Sequence, residues 1–313
     1  MNILITGGAG FIGSHLCKLL VERGDRVICV DNLITGFKKN IENLTHKDNF
    51  KFIEHDVSKS LYIKEEIDWV YHLASLASPK HYLNYPIKTL KSGLLGTHNC
   101  LGIAKNKKAK FLLASTSEVY GDPLVHPQPE SYWGNVSSTG LRSCYDESKR
   151  AAESLTYAYM RKHLVDVRVA RIFNTYGPNM HPDDGRVVSN FITQSLKEKD
   201  ITIYGEGTQT RSFCYVQDLI EGLIKLTEVD YKAPLNLGNP REFTIKQLAD
   251  MVLAETKSNS QIKKLPLPED DPKRRKPDIS KAKQLLNWQS TVPLEQGLQK
   301  TIDYFKSVLS IES

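Results

Sequence analysis

The 313-residue chain has 42 Lys and Arg against 36 Asp and Glu, a net charge of +6, and 40% hydrophobic residues. This ordinary globular composition excludes an intrinsically disordered protein. Basic and acidic residues alternate along most of the chain, which argues against a nucleic-acid-binding protein and suggests an anionic small ligand instead.

The cysteines and the N-terminus indicate the cellular setting. Five cysteines are scattered without any C-x-x-C pair, so we expect neither disulfides nor a zinc or other metal site, and a reducing compartment. Met1 leads directly into an apolar run and a glycine motif, and no apolar run is long enough to span a bilayer. We therefore expect a cytoplasmic protein that does not bind membranes.

Short apolar runs alternate with helix-like segments in the first half of the chain. Six of these runs, at 3–5, 27–30, 50–53, 69–71, 111–113 and 167–169, predict buried strands. Strands alternating with helices are typical of a doubly wound parallel sheet, so we predict an α/β Rossmann fold.

The first predicted strand runs into a glycine-rich turn. Gly8, Gly10 and Gly13 satisfy the G-x-G-x-x-G pattern between a strand and a helix. Glycines permit the close approach of backbone N–H groups to a pyrophosphate at a helix N-terminus. A turn without a ligand is the alternative. The predicted cofactor contacts in this segment are Gly7, Gly10, Phe11, Ile12 and Gly13.

Asp31 ends the second predicted strand, about twenty residues after the glycines. A carboxylate there accepts hydrogen bonds from both adenosine ribose hydroxyls and repels the 2′-phosphate of NADP, so we predict NAD as the cofactor. Asn32 and Leu33 follow, with no Arg to reverse this preference. Further cofactor contacts are predicted at Asn32, Thr35, Gly36, Asp56, Val57, Leu73, Ala74, Ser75 and Ala114.

Two later segments carry candidate catalytic groups. Thr116, Ser117 and Glu118 follow a predicted strand, at the edge where parallel sheets bind ligands. Tyr145 and Lys149 are four residues apart and share one face of a helix, where an ammonium favours the phenolate. Taken alone, the first segment reads equally well as turn residues and a solvated charge.

The chain beyond residue 172 is less regular. Helices are predicted at 187–198, 244–256 and 293–309, with apolar residues at three- and four-residue spacing. We predict an NAD-binding Rossmann domain over residues 1–172, with a return segment near 215–240. Residues 173–313 then form mainly a smaller substrate-binding lobe.

The order of these motifs resembles the extended short-chain dehydrogenases that act on nucleotide sugars. Within that superfamily, segments 72–75, 84–91, 171–178, 184–191 and 274–278 resemble UDP-glucuronate decarboxylases, and the resemblance covers nearly the whole chain. Two departures are Leu76, where these proteins usually have proline, and Ser148, where glycine is frequent.

The resemblance implies residue roles. Tyr145 is the base, Lys149 holds the nicotinamide ribose, Thr116 and Ser117 hydrogen-bond the sugar, and Glu118 assists proton handling. The resemblance also implies substrate contacts at Lys91, Arg142, Asn174, Arg186, Val188, Tyr204, Arg211 and Arg275. Arg142 and Arg275 are expected near the substrate carboxylate, which guanidinium groups bind in a bidentate manner.

The implied reaction is the NAD-dependent conversion of UDP-glucuronate to UDP-xylose. It proceeds through oxidation at C4, loss of carbon dioxide from the 4-keto intermediate and re-reduction. The alternatives are a UDP-sugar 4-epimerase, a nucleotide-sugar 4,6-dehydratase and a non-catalytic nucleotide-binding regulator. Glu118 after Thr116-Ser117, and Arg275 before Lys276-Pro277, favour the decarboxylase. A homodimer is also expected, formed by the helical segments 86–105 and 145–162.

Overall fold

The computed structural model describes residues 1–266 and 274–309. Its strands, in chain order, are β1 Asn2–Thr6, β2 Arg26–Asp31, β3 Phe50–Glu54, β4 Trp69–His72, β5 Lys110–Thr116, β6 Val167–Ile172, β7 Thr175–Tyr176, β8 Ile201–Tyr204, β9 Thr210–Ser212, β10 Cys214–Tyr215, β11 Pro234–Leu237, β12 Glu242–Thr244, β13 Ile262–Leu265 and β14 Arg274–Arg275.

The helices lie between these strands. They are α1 Phe11–Glu22, α2 Pro79–Asn84, α3 Pro86–Lys91, α4 Thr97–Lys107, α5 Ser143–His163, α6 Val187–Leu196, α7 Val216–Glu228, α8 Ile245–Thr256, α9 Ser280–Leu286 and α10 Leu294–Leu309. Short 3₁₀ segments cover Lys38–Leu44 and Ser117–Tyr120, and a π-helical turn, Ser92–Gly96, joins α3 to α4.

A seven-stranded parallel sheet forms the centre of the fold, in the order β11-β6-β5-β4-β1-β2-β3. The six predicted strands are all present, and the predicted doubly wound Rossmann fold is confirmed. Strand β11 and helix α7 lie in the segment 215–240, and β11 extends this sheet beside β6. Because neighbouring strands are parallel, their carboxyl ends all open at one edge.

Apolar side chains cover both faces of the sheet. Ile3 and Ile5 of β1 belong to one buried cluster and Leu4 to another, because successive side chains of a strand point to opposite faces. The first cluster extends to Leu248 of α8 and Leu298 of α10. The Rossmann sheet and the C-terminal lobe therefore share a continuous core, and a division of the chain at residue 172 stays a prediction.

The C-terminal lobe is built around small sheets. Strands β12, β9 and β14 form one of them, and β13 pairs with β8 in another. Helices α6, α8 and α10 begin within one residue and end within two residues of the predicted bounds. Within residues 1–266 and 274–309, no helix is long and apolar enough to cross a membrane.

Candidate active site

A cavity of about 680 Å³ lies where the carboxyl ends of the central strands face the C-terminal lobe. Its wall includes Gly10 after β1, Asp31 of β2, Thr116 of β5, and Tyr204 and Arg211 of the C-terminal lobe. This volume suits a site for small organic ligands. The crevice at the edge of the parallel sheet is the place where this class of fold binds nucleotides.

The glycine turn packs too tightly for side chains. Gly7 has a φ of +74°, and a Cβ built on it lies 2.7 Å from the backbone nitrogen of Ala74. A Cβ on Gly13 lies 2.1 Å from the Gly7 carbonyl oxygen. Gly10 lines the cavity directly before the first turn of α1, so that the positive end of this helix faces the cavity. The loop can therefore hold a pyrophosphate.

Asp31 is held at the cavity wall by backbone groups. Its Oδ1 accepts a hydrogen bond from the Leu33 N–H at 2.9 Å, and its Oδ2 accepts one from the Ala9 N–H at 3.1 Å. Burial raises the pKa of Asp31, although these backbone donors oppose the shift. Each oxygen has further lone pairs for the hydroxyls of a ribose.

Most predicted cofactor residues line this cavity. They are Gly7, Gly10, Phe11, Ile12, Gly13, Asp31, Asn32, Thr35, Val57, Leu73, Ala74, Ser75, Ala114, Tyr145 and Lys149. Gly36 and Asp56 are not among the residues that line the cavity. Gly36 packs against the Asp31 carboxylate, with an ideal Cβ only 2.8 Å from Oδ1. Asp56 accepts hydrogen bonds from the Ser58 N–H and hydroxyl.

Tyr145 and Lys149 both face the cavity from α5. Each is only 5% exposed. The Lys149 Nζ donates to the Ala114 carbonyl oxygen at 2.8 Å and lies 6.0 Å from the centre of the Tyr145 ring. Burial raises the pKa of Tyr145 to about 12 and lowers the pKa of Lys149 to about 8. The phenol needs a nearby positive charge to ionise at neutral pH.

Two guanidinium groups hold the Glu118 carboxylate inside the cavity. The Arg142 Nη2 donates to Glu118 Oε2 at 2.5 Å, and the Arg275 Nη1 donates to Oε1. Burial opposes ionisation of Glu118, but Arg275 and Arg142 lower its pKa to about 2. Glu118 is therefore an anion at neutral pH. Thr116 caps this turn by accepting the Glu118 N–H at 3.2 Å, and Ser117 is 2% exposed.

The C-terminal lobe supplies most of the remaining predicted substrate residues. Arg211 and Arg275 are register partners on the parallel strands β9 and β14, so the two arginines lie side by side. The predicted substrate residues that line the cavity are Arg142, Asn174, Arg186, Val188, Tyr204, Arg211 and Arg275. Lys91 differs: it is exposed at the end of α3 and lies outside the cavity wall. The structure therefore does not bring Lys91 to this site.

Sequence reasoning did not include Tyr82 among the site residues. Its ring lies parallel to that of Tyr145, with centres 5.2 Å apart, and the Arg142 guanidinium lies 5.9 Å from the centre of the Tyr82 ring. Its buried hydroxyl lines the cavity without a hydrogen-bond partner within the described residues. The Ser75 hydroxyl and the Arg275 Nε are also unsatisfied there. Such atoms suit a polar ligand.

The two departures from the family pattern have distinct positions. Leu76 is 4% exposed and lines the cavity directly after Ser75. The Ser148 hydroxyl donates to the Tyr145 carbonyl oxygen at 2.7 Å. The Ser148 side chain packs against Gly93 of the π-helical turn. A Cβ built on Gly93 would lie only 2.6 Å from the Ser148 Cβ. Ser148 thus packs outside the cavity.

The chain is similar to a known enzyme family over almost its whole length. Residues 4–301 match the family model described as GDP-mannose 4,6 dehydratase. UDP-glucuronic acid decarboxylase 1 of Danio rerio is 56% identical over 98% of this chain and 73% of its own length. UDP-glucuronic acid decarboxylase 6 of Arabidopsis thaliana is 53% identical over 99% of this chain and 90% of its own length.

Solved structures with the same fold are more distant in sequence. UDP-glucose 4-epimerase of Thermotoga maritima, solved with UDP-glucose, has a TM-score of 0.91 and 30% identity, covering 99% of this chain and all of its own. UDP-glucuronic acid 4-epimerase of Bacillus cereus, solved with UDP-glucuronic acid and NAD, has a TM-score of 0.89 and 30% identity. It covers 98% of this chain and 100% of its own.

Proposed function

The chain belongs to the UDP-glucuronic acid decarboxylase family, and from this premise we propose that it converts UDP-glucuronate to UDP-xylose with bound NAD. The observation that carries the proposal is the pair of guanidinium groups, Arg142 and Arg275, fixed on Glu118 in the cavity that Tyr145 also faces. A pair of guanidinium groups in the cavity supports the binding of a sugar carboxylate there.

The cofactor half of the cavity fits NAD. The glycine turn leaves room only for backbone N–H groups beside a pyrophosphate, and the Asp31 carboxylate faces the same cavity. When bound, NAD supplies a hydride acceptor for C4 of the sugar and later returns the hydride. Lys149, whose Nζ donates to the Ala114 carbonyl oxygen on the cavity wall, would hold the nicotinamide ribose.

Tyr145 is the base in this proposal. Its phenolate would accept the proton of the C4 hydroxyl, since Lys149 and a bound nicotinamide both bring positive charge to it. In the sugar oxidised at C4, a ketone lies β to the carboxylate on C5, so carbon dioxide can leave while the electrons of the broken carbon–carbon bond stay on the sugar as an enolate. Thr116 and Ser117 line the cavity as hydroxyl donors to this developing oxygen anion.

We do not assign Glu118 the role of proton donor. Because its pKa is held at about 2, it carries no proton at neutral pH. We propose that it assists proton handling by orienting Arg142 and Arg275, and that C5 receives a solvent-derived proton beside Arg275. Tyr145 would then return its proton to the C4 oxygen as the ketone is reduced back to the alcohol of UDP-xylose.

A UDP-glucuronate 4-epimerase is the second candidate. It is favoured by the structural likeness to the Bacillus cereus protein solved with UDP-glucuronic acid and NAD. A 4,6-dehydratase shares the matching family model. The greater identity to proteins named as decarboxylases, 53–56% against 30%, favours decarboxylation.

We also propose that the protein is a homodimer. Large apolar side chains on α3 and on the π-helical turn are exposed: Ile87 by 69%, Leu90 by 43% and Leu94 by 45%. Helices α3 and α5 pack together here, and these are the segments that the family resemblance assigns to a dimer interface. Replacing Leu90 by Asp should give monomers by analytical ultracentrifugation at micromolar concentration, whereas an unchanged dimer would contradict this interface.

A reducing compartment suits this chain, since all five cysteines are buried free thiols. We propose that it acts on its soluble UDP-sugar in the cytoplasm, without a nucleic-acid or membrane partner. Imaging of a tagged full-length protein would test the location.

The reaction itself is tested with purified protein and UDP-glucuronate, with and without added NAD, followed by proton NMR. We expect UDP-xylose and one carbon dioxide per substrate consumed, with no net reduction of NAD. Formation of UDP-galacturonate instead would establish the epimerase. Conversion of UDP-glucose to a 4-keto-6-deoxy sugar, with UDP-glucuronate untouched, would establish a dehydratase.

A further inference from the structure

A buried carboxylate lies one helical turn beyond Lys149. Glu153 of α5 is 8% exposed, and Tyr145, Lys149 and Glu153 recur every four residues on one face of the helix. The reaction proposed above gives Glu153 no role. A buried charge is costly unless it is paired, so the Glu153 carboxylate needs partners inside the protein.

Three hydrogen bonds fix the Glu153 carboxylate. The Arg171 Nε donates to Oε1 at 3.0 Å and the Arg171 Nη2 donates to Oε2 at 2.8 Å, which forms a bidentate pair. The Ser115 hydroxyl donates to Oε1 at 2.5 Å. Ser115 follows Ala114, whose carbonyl oxygen accepts the Lys149 ammonium. The carboxylate and the lysine are therefore attached to adjacent residues of β5.

Arg171 is itself held rigidly. Its Nη1 donates to the Tyr120 hydroxyl and to the Glu130 carbonyl oxygen, both at 3.0 Å. The Tyr120 hydroxyl donates onward to Asn236 Oδ1 at 2.7 Å. Burial opposes the charge on Arg171, but Glu153 and Tyr120 raise its pKa, so it is a permanent cation. The Arg171 guanidinium therefore fixes the Glu153 carboxylate in position.

Among the titratable groups that face Lys149, Glu153 is the one that favours its charged form. Burial lowers the pKa of Lys149 to about 8, and the Glu153 carboxylate opposes this shift. Tyr145 on the same helix and His72 on β4 also face Lys149. Burial raises the pKa of Tyr145 to about 12, and burial together with Lys149 lowers the pKa of His72 to about 3, so both are neutral at neutral pH.

We propose that Glu153 is a positioning residue, which keeps Lys149 in its ammonium form and aligned with the Ala114 carbonyl at the nicotinamide end of the cavity. Arg171 and Ser115 hold Glu153 in place for this task. The proposal rests on the proposed function only in assigning Lys149 to the nicotinamide ribose. It gives the buried Glu153–Arg171 pair a part in setting the upper pH limit of the enzyme.

The test compares Glu153→Gln, which removes the charge and keeps the shape, with Glu147→Gln on the partly exposed side of the same helix. The rate constant kcat and KM are measured from pH 6 to 9.5, and NAD binding to the apoprotein is measured by calorimetry over the same range. Loss of a nearby opposite charge should move the alkaline limb of kcat down by about one pH unit. At a given pH on that limb, kcat should then be about tenfold lower than in the unchanged protein, and KM should stay within about twofold of its original value.

NAD binding provides the readout that does not depend on turnover. In the Glu153→Gln protein, NAD affinity should weaken at a pH about one unit lower than in the unchanged protein. Glu147→Gln should leave both curves in place. Glu153→Asp retains the charge at a greater distance, so its limb should lie between those of the unchanged and Gln proteins. If Glu153→Gln does not fold, Glu153→Asp decides the question, and an unshifted limb overturns the proposal.

A merely structural role gives a different result. Activity would then fall by the same factor at every pH, the melting temperature would drop, and both limbs would keep their midpoints. If the unchanged protein binds NAD but does not turn over UDP-glucuronate, the proposed function has failed. The pH dependence of NAD binding still decides the role of Glu153, because that measurement needs no sugar substrate.

Discussion

The two halves of the cavity are assembled in different ways. The cofactor half, formed by the turn Gly7–Gly13 together with Asp31, comes from strand ends that follow one another in the first 31 residues. The carboxylate half, formed by Glu118, Arg142 and Arg275, joins residues 157 positions apart in the chain. The first half depends on local backbone geometry, and the second depends on how the C-terminal lobe packs onto the sheet.

This difference predicts how each half fails. A change in the cofactor half should alter NAD affinity, whereas a change in the carboxylate half should alter turnover of the sugar and leave NAD binding intact. Tyr145 stands where the halves meet, since its ring contacts Tyr82 and lies near Lys149.

The largest effect is expected from Tyr145→Phe. Removing the phenol eliminates the base that both halves serve, so kcat should fall about 10³-fold, within the range known for general-base catalysis. NAD and UDP-glucuronate should bind with affinities within about twofold of the original. Calorimetry with each ligand and NMR of product formation measure both quantities. A variant that keeps more than a tenth of its activity would remove Tyr145 from the mechanism.

Arg275→Met should affect the carboxylate half alone. Glu118 would then keep Arg142 as its partner and lose the buried charge pair with Arg275. Such a loss typically costs 2–5 kcal/mol, so we expect kcat/KM for UDP-glucuronate to fall about 10²-fold. The NAD dissociation constant should stay unchanged. Arg274→Met, at the exposed neighbouring position, is the control, and an equal loss there would contradict the argument.

Gly13→Ala should affect the cofactor half alone. The added methyl would lie 2.1 Å from the Gly7 carbonyl oxygen, so the turn must move. Overpacking of this kind costs about 1–3 kcal/mol, which corresponds to NAD binding weaker by about 5-fold to 150-fold. Gly102→Ala in α4 has open space around the new methyl and should leave NAD binding unchanged. Calorimetric titration of both apoproteins with NAD compares them directly.

The smallest effect is expected on the pH dependence of stability, from His72 of β4 beside the cofactor half. His72 is 2% exposed, with Nδ1 2.7 Å from the Thr6 hydroxyl oxygen and Nε2 3.1 Å from that of Thr97. The Thr97 hydroxyl donates to the Gly93 carbonyl oxygen, so it accepts from the Nε2–H of a neutral ring. Burial and Lys149 lower the pKa of His72 to about 3.

The sign of the pH effect follows from proton binding. Between pH 6.5 and 3 the unfolded chain binds a proton at His72 and the folded protein does not. His72 therefore makes the free energy of unfolding fall as pH is lowered through this range, by about 1.4 kcal/mol per pH unit. Urea unfolding at pH 7.5 and 5.5 should show a shallower pH dependence for His72→Gln. His46→Gln, at an exposed position, should keep the original slope.

The sequence patterns predicted one half of the cavity better than the other. Gly7, Gly13 and Asp31 were identified because a fixed spacing after a strand has one backbone solution. Lys91 is predicted as a substrate contact from the resemblance, and the structure leaves it exposed at the end of α3, outside the cavity wall. Tyr82 was missed, since no local pattern distinguishes a tyrosine on α2 that stacks on Tyr145 from one on a surface helix.

What the sequence by itself determined is the alternation of buried strands and helices, the glycine turn with its acidic partner, and the shared helix face of Tyr145 and Lys149. These features follow from contacts within a few residues or from the two periodicities of strand and helix. Only the tertiary structure decided that Arg275 reaches Glu118, that Arg171 pairs with Glu153, and that Glu118 is an anion. Ion pairs between distant segments depend on the packing of separate elements, which no spacing in the chain encodes.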